Sequence, residues 1–213
     1  MTLRRWLAIC GVVSPLLIAL AFTVVGGDTP DEKSSAEKVV TYFHAHQTAG
    51  RVAALMVVIG AVLLVLFAAR LREVLRSAGD GGVLPTASFG GAVLTAGGLG
   101  LMAAVHFALI QAAQHRFDAP AQTLNVLDEN DFFLTIAGFA VFFLGSGLAI
   151  VRVRTLPQWL GWVAIVIAVL CVAGPLGFIG LVAGLLWILV VAVILLVRKG
   201  TDADIPRVPQ PVA

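Results

Sequence analysis

The chain has 213 residues, of which 60% are hydrophobic and 12% charged, with a mean hydropathy of +1.01. A soluble domain carries about one quarter charged residues. A water-soluble fold would lack polar surface here, and helices that satisfy their own backbone hydrogen bonds inside a bilayer are the expected form. A net charge of only +2 gives no reason to expect nucleic acid as a partner.

Six apolar stretches follow in chain order, at 6–25, 51–69, 86–113, 132–151, 158–174 and 176–197. Each approaches the roughly 20 residues that a crossing requires. The fifth and sixth are parted only by Gly174-Pro175, a tight turn. The expected fold class is therefore all-α: a polytopic membrane bundle of six transmembrane helices over 1–199, followed by a disordered tail at 200–213 with Pro206, Pro209 and Pro211.

The first stretch follows Arg4 and Arg5, and Ala19-Leu20-Ala21 has the small residues of a signal-peptide cleavage site. The apolar run continues to Val25, as a retained anchor does. Pro15 is expected to kink this helix. Cys10 and Cys171 both lie within apolar runs and read as small core residues.

Between the first and second spans, Ser34-Ser35-Ala36-Glu37 reads as a capping box. The helix it opens carries Val39, Val40 and Phe43 on one side and should lie along the outer interface. The linker from Ser77 to Leu84 is glycine-rich and expected to be flexible. In the third span Ser88, Ala92, Ala96, Gly100, Ala104, Ala108 and Ala112 are small at every fourth position, a ridge for close approach of another helix. In the next loop Asp118-Ala119-Pro120 begins a second interfacial helix with Leu124 and Leu127 as its apolar contacts, and Asp128 or Asn130 should cap the fourth span.

The distribution of Lys and Arg sets the sidedness. Ten of the fourteen, Arg4, Arg5, Arg70, Arg72, Arg76, Arg152, Arg154, Arg198, Lys199 and Arg207, fall at one set of span ends. Lys33, Lys38, Arg51 and Arg116 fall at the other. The positive-inside rule places both termini in the cytoplasm of a bacterial plasma membrane. Eight of the twelve acids lie on the outer side, together with all four histidines.

That outer side holds the candidate site: His46, Gln47, Arg51, His106, Gln111 and Asp131, with His44, His115 and Gln114 at similar depth. His44 and His46 are two residues apart, about 200° on a helix, so one ion cannot take both. His46 is expected to face the bundle and meet His106, with Asp131 nearby. Histidine and carboxylate suit a metal, and a facing histidine pair suits haem. Arg51 opens the second span, where it either snorkels or pairs with Glu129 or Asp131.

The sequence contains no GxSxG, P-loop, CxxC or HExxH motif, and the span centres hold no Asp, Glu, Lys or Arg. Ion-coupled transport usually uses such midplane groups, so it is disfavoured. Tyr42-Phe43-His44-Ala45-His46, Phe89-Gly90-Gly91 and Leu156-Pro157-Gln158-Trp159-Leu160-Gly161-Trp162 open the second, third and fifth spans. With these stretches the chain resembles a family of small six-span bacterial integral membrane proteins, actinobacterial in type and of unknown function. The resemblance implies a six-helix inner-membrane protein and transfers no catalytic residue.

The leading expectation is a non-enzymatic accessory or lipid- or small-ligand-binding bundle. It needs no cofactor. Membrane lipid, a second copy or another membrane protein would be its partner. The alternative is a metal- or haem-binding enzyme or redox protein using His46 and His106.

Overall fold

The computed structural model describes residues 3–25, 29–76 and 82–198, with the backbone alone at positions 24, 25 and 175. Most of the glycine-rich linker (77–81) and the whole expected tail lie outside the described residues. Eight α-helices run through the described residues: α1 Leu3–Val25, α2 Ala36–Ala45, α3 Gln47–Arg76, α4 Val83–Gln114, α5 Asp118–Asp128, α6 Phe133–Val153, α7 Gln158–Val172 and α8 Gly177–Val197. One turn of 3-10 helix, Gly174–Leu176, joins the last two.

Among the described residues, five stretches are long and apolar enough to cross a membrane: Leu3–Thr23, Gln47–Arg76, Val83–Gln114, Asp118–Val153 and Gly177–Val197. The fourth of these begins with the amphipathic α5, so its apolar part is α6. The remaining expected span is α7, with 15 residues. At 1.5 Å per residue it rises about 22 Å, against a hydrocarbon core of about 30 Å. By length and composition the fold therefore offers five such helices and a sixth, shorter apolar one.

The six apolar helices form a closed ring: α1 packs on α3, α3 on α4, α4 on α6, α6 on α7, α7 on α8, and α8 on α1. Phe139, Phe142, Phe143 and Trp187 fill part of its core. The Phe143 and Trp187 rings meet edge to face at 5.4 Å, and the Trp187 indole donates to the Leu160 carbonyl at 2.9 Å. Pro15 lies within α1, which is assigned as one continuous helix. Cys10 and Cys171 are free thiols, the second buried.

The tightest seam joins α4 to α6, along a line other than the expected ridge. Residues spaced by four precess about 40° per step on a helix of 3.6 residues per turn. Ser88 and Ala92 are accordingly buried, while Ala104 and Ala108 are exposed. The line that meets α6 is Ser88, Gly91, Thr95 and Gly98, whose mixed steps of three and four stay on one face. A Cβ added at Gly91 would overlap the Phe142 backbone nitrogen, and one at Gly98 would lie 2.6 Å from the Thr135 nitrogen. The hydroxyls along this seam are bonded: Ser88 with Ser146 at 2.7 Å, Thr95 to the Gly91 carbonyl at 2.9 Å. Between α1 and α3, Ser14 likewise donates to the Gly60 carbonyl at 2.8 Å.

Polar contacts gather at one end of the ring. Arg4 and Arg70 reach Glu73 at 3.2 and 2.6 Å, Arg72 donates to Thr86 at 3.3 Å, and Arg198 donates to the Thr155 carbonyl at 2.6 Å. At the other end α2 and α5 pack over the C-terminal part of α4, with Val39, Val40, Phe43, Leu109, Ile110, Ala112, Ala113 and Ala121 in a second apolar cluster. Leu124 joins it, but Leu127 is exposed.

Local capping differs from expectation by small shifts. The N-cap of α2 is Ser35, which accepts from the Lys38 amide at 3.4 Å. Ser34 instead donates to the Asp31 carboxylate at 2.7 Å, and this bond holds the Asp31 carboxyl below its ordinary range. Asn125 on α5 ties that loop down by donating to the Asp31 carbonyl at 3.1 Å. The residue before α6 is Phe132, with no side-chain cap. Asn130 turns back to the Val126 carbonyl at 2.8 Å, and Asp128 is engaged elsewhere.

Candidate functional site

The corner at the C-terminal end of α4 is assembled by the way α5 folds back on α4. Ala121 and Asn125 are the buried residues of α5. Asp128 follows at the third position after Asn125, so helix periodicity carries it onto the same face. There its Oδ2 lies 2.9 Å from His106 Nδ1 on α4. Phe43 of α2 closes the other side, its ring edge to face with His106 at 5.6 Å. By sequence Asp128 is a candidate helix cap; its spacing of three from Asn125 and seven from Ala121 is the signal for this second role.

A carboxylate at Nδ1 fixes the imidazole and leaves Nε2 as the free ring nitrogen. Nε2 is buried and has no hydrogen-bond partner. It lies close above Gly50 of α3, where an added Cβ would stand 3.0 Å from it and 2.6 Å from Ile110 Cδ1. Glycine at position 50 therefore lets α3 approach the histidine.

Asp131, in the loop before α6, is 8% exposed, and neither carboxylate oxygen has a hydrogen-bond partner. It is near enough to Asp128 and His106 to interact electrostatically with both. Glu129 in turn feels Asp128, Asp31 and Glu32. The corner is thus an acidic mouth with one imidazole in it.

Beside it opens a pocket of about 130 Å³, lined by Ala21 and Phe22 of α1, Ala53, Ala54 and Val57 of α3, Met102, Ala103 and His106 of α4, and Asp128. All but two of these side chains are apolar. Cavities near this size hold a benzene-sized group.

The other expected residues lie elsewhere. His46 does not face the bundle. The helix face used to place it assumes that α2 continues, but α2 stops at Ala45 and His46 is its C-cap. Its ring is exposed, stacks on Tyr42 at 4.3 Å, and puts Nδ1 2.9 Å from the Tyr42 carbonyl. No hydrogen bond or ring contact joins it to His106 among the described residues. No group of three or more His, Cys, Asp or Glu is placed to hold one metal ion among those residues.

Arg51 pairs with neither Glu129 nor Asp131. Its Nη2 donates to Gln114 Oε1 at 2.5 Å, and Gln114 in turn donates to Gln47. The guanidinium sits over the Phe107 ring at 5.8 Å. Gln111 makes no side-chain hydrogen bond among the described residues. Six expected site residues thus divide into a His106–Asp131 corner that recruits Asp128, an Arg51–Gln47 chain bridged by Gln114, and two residues, His46 and Gln111, in neither. Compared with family models, with curated proteins and with solved structures, the chain finds no match.

Proposed function

We propose that this protein is a six-span bacterial plasma-membrane protein, both termini cytoplasmic, that binds a small amphiphile at its outer mouth without transforming it. The observation that carries the reading is the Asp128 carboxylate, held by His106 at the edge of an apolar pocket. The favoured ligand has an apolar group of about ring size and a polar end that donates hydrogen bonds or carries positive charge, since the mouth offers acceptors and acids. A charged acceptor engaged by a cationic donor makes one of the stronger hydrogen bonds available.

Two features support six crossings in spite of the short α7. It runs beside α8 along its length, from Cys171 against Gly180 to Leu160 against Trp187. Its first end meets the last residues of α8 through Thr155 and Arg198. A short apolar helix is accommodated by local thinning of the bilayer at modest cost. The proposed orientation rests on the ten-to-four division of Lys and Arg. In a Cys10→Ala, Cys171→Ala background, a cysteine at position 35 should react with an impermeant thiol reagent added to intact cells, and one at position 77 should not. The reverse pattern overturns the orientation.

Ligand chemistry is tested by thermal unfolding of the detergent-purified protein with benzylammonium, benzyl alcohol and benzoate. Benzylammonium should stabilise most, and Asp128→Asn should abolish its advantage. A ligand at 100 times its Kd stabilises by about 2.7 kcal/mol, well within reach of this measurement. Equal or greater stabilisation by benzoate would sink the proposal. A stoichiometric metal or a Soret band in the same preparation, lost in His106→Ala, would favour the redox reading instead.

A further inference from the structure

On another side of the α3–α4 contact lies a second opening, a groove of about 560 Å³ lined by Arg51, Ala54, Leu55, Val58, Gly100, Ala103, Ala104 and Phe107. Ala54 and Ala103 line both this groove and the pocket beside His106. The two openings have opposite chemistry. One ends at a carboxylate; the other ends at a guanidinium.

The groove is apolar along its length and charged at one end. From Arg51 to Val58 on α3, and from Phe107 to Gly100 on α4, each wall is seven residues deep, about 10 Å. That is two thirds of one hydrocarbon leaflet. Leu55, Val58 and Phe107 are exposed along it, and a Cβ added at Gly100 would meet nothing within 4 Å. Among the described residues, no helix fills that space.

Arg51 has no carboxylate partner among the described residues; its one hydrogen bond goes to a neutral amide, and its Nε is buried without a partner. Phe107 and the Gln114–Gln47 chain hold the guanidinium where α3 begins. A cation left without a counter-charge among the described residues, at the head of an apolar groove about 10 Å deep, matches a molecule with an anionic head and a hydrocarbon tail. Guanidinium and phosphate are geometrically suited to paired hydrogen bonds.

We infer that this groove is a binding site for an anionic phospholipid of the outer leaflet, its phosphate on Arg51 and the upper part of one acyl chain between α3 and α4. The inference presupposes that these helices sit in a membrane but does not use the His106 corner. Asp128→Asn should therefore leave lipid binding unchanged, which keeps the two proposals separable.

The test is native mass spectrometry of the full chain, delipidated in detergent and titrated with dioleoylphosphatidylglycerol or with dioleoylglycerol, which lacks the phosphate. The phosphatidylglycerol should bind, and Arg51→Gln should weaken it roughly tenfold, in line with loss of one charge-assisted hydrogen bond. Arg51→Lys should recover part of that loss. Gly100→Leu, which fills the groove without touching the charge, should also weaken binding, and it keeps the test open if Arg51→Gln does not fold. Inorganic phosphate in excess should fail to displace the lipid.

Equal binding of dioleoylglycerol, displacement by free phosphate, or wild-type affinity in both Arg51→Gln and Gly100→Leu would each overturn the inference. So would a disulfide-linked dimer formed efficiently through a cysteine at position 104, because a second copy would then cover the groove.

Discussion

The α4–α6 seam and the C-terminal corner of α4 are built on the same helix and treat polar atoms in opposite ways. Along the seam, backbones approach at Gly91, Gly98 and Gly138, and the Ser88, Ser146 and Thr95 hydroxyls are hydrogen-bonded. At the corner, His106 Nε2 and both oxygens of Asp131 are buried without partners. Buried polar groups are normally satisfied, and an unsatisfied one costs about 1–3 kcal/mol, more when charged. The seam is arranged for stability. The corner gives some of that stability up, and such local sacrifice is expected where a chain binds something.

Substitutions at the two places should therefore act in opposite directions. The largest effect belongs to the seam. Gly91→Ala forces a methyl into the Phe142 backbone, which cannot yield as a side chain can. Overpacking typically costs about 1–3 kcal/mol and occasionally more. Folded protein recovered by size exclusion in detergent should fall steeply, and wild-type recovery would show that the two helices are not held this close.

Next comes Asp131→Asn. It replaces a buried carboxylate lacking donors with a neutral amide of the same shape, so thermal stability at neutral pH should rise by about 1 kcal/mol or more. A fall would mean that the carboxylate has a partner in the folded protein. Ser146→Ala should cost less, about 0.6 kcal/mol, the average for hydrogen bonds between membrane helices. If it costs nothing, the Ser88–Ser146 bond is not part of what holds the seam.

The smallest effect is at the rim. Asp31 is held in its charged form by Ser34, so its contribution to the loop is full above the ordinary carboxylate range and lost as pH falls through its lowered value. Ser34→Ala should move the NMR titration of Asp31 upward while leaving the melting temperature almost unchanged.

Much of this contrast was legible in the residues. The apolar stretches mark where the helices lie, because a helix that crosses hydrocarbon needs a long apolar run; the arginines do not mark their ends, since α3 continues through Arg70 and Arg72 to Arg76. The gathering of the histidines and most of the acids at one set of span ends was legible in the residues themselves. Which residues meet within it was not. His46 was misplaced because a helix ended one residue before it, and element boundaries are set by tertiary packing rather than by local composition. The packing line on α4 was misplaced because exact four-residue spacing wanders around a helix. Asp128 reads as a cap of the fourth span but meets His106 instead, since nothing in the loop sequence states that α5 folds back onto α4.

The ring of helices is closed by α1 against α8, the first and last helices of the described residues. A ribosome delivers the N-terminal end first. The α1–α3–α4 flank, which carries both openings, is thus available to assemble while the far flank does not yet exist. Until residues 177–197 arrive, the side of α1 that α8 will cover has no partner within the ring. Birth order leaves this protein with an unfinished edge, and a chain stopped after α7 would keep that edge permanently.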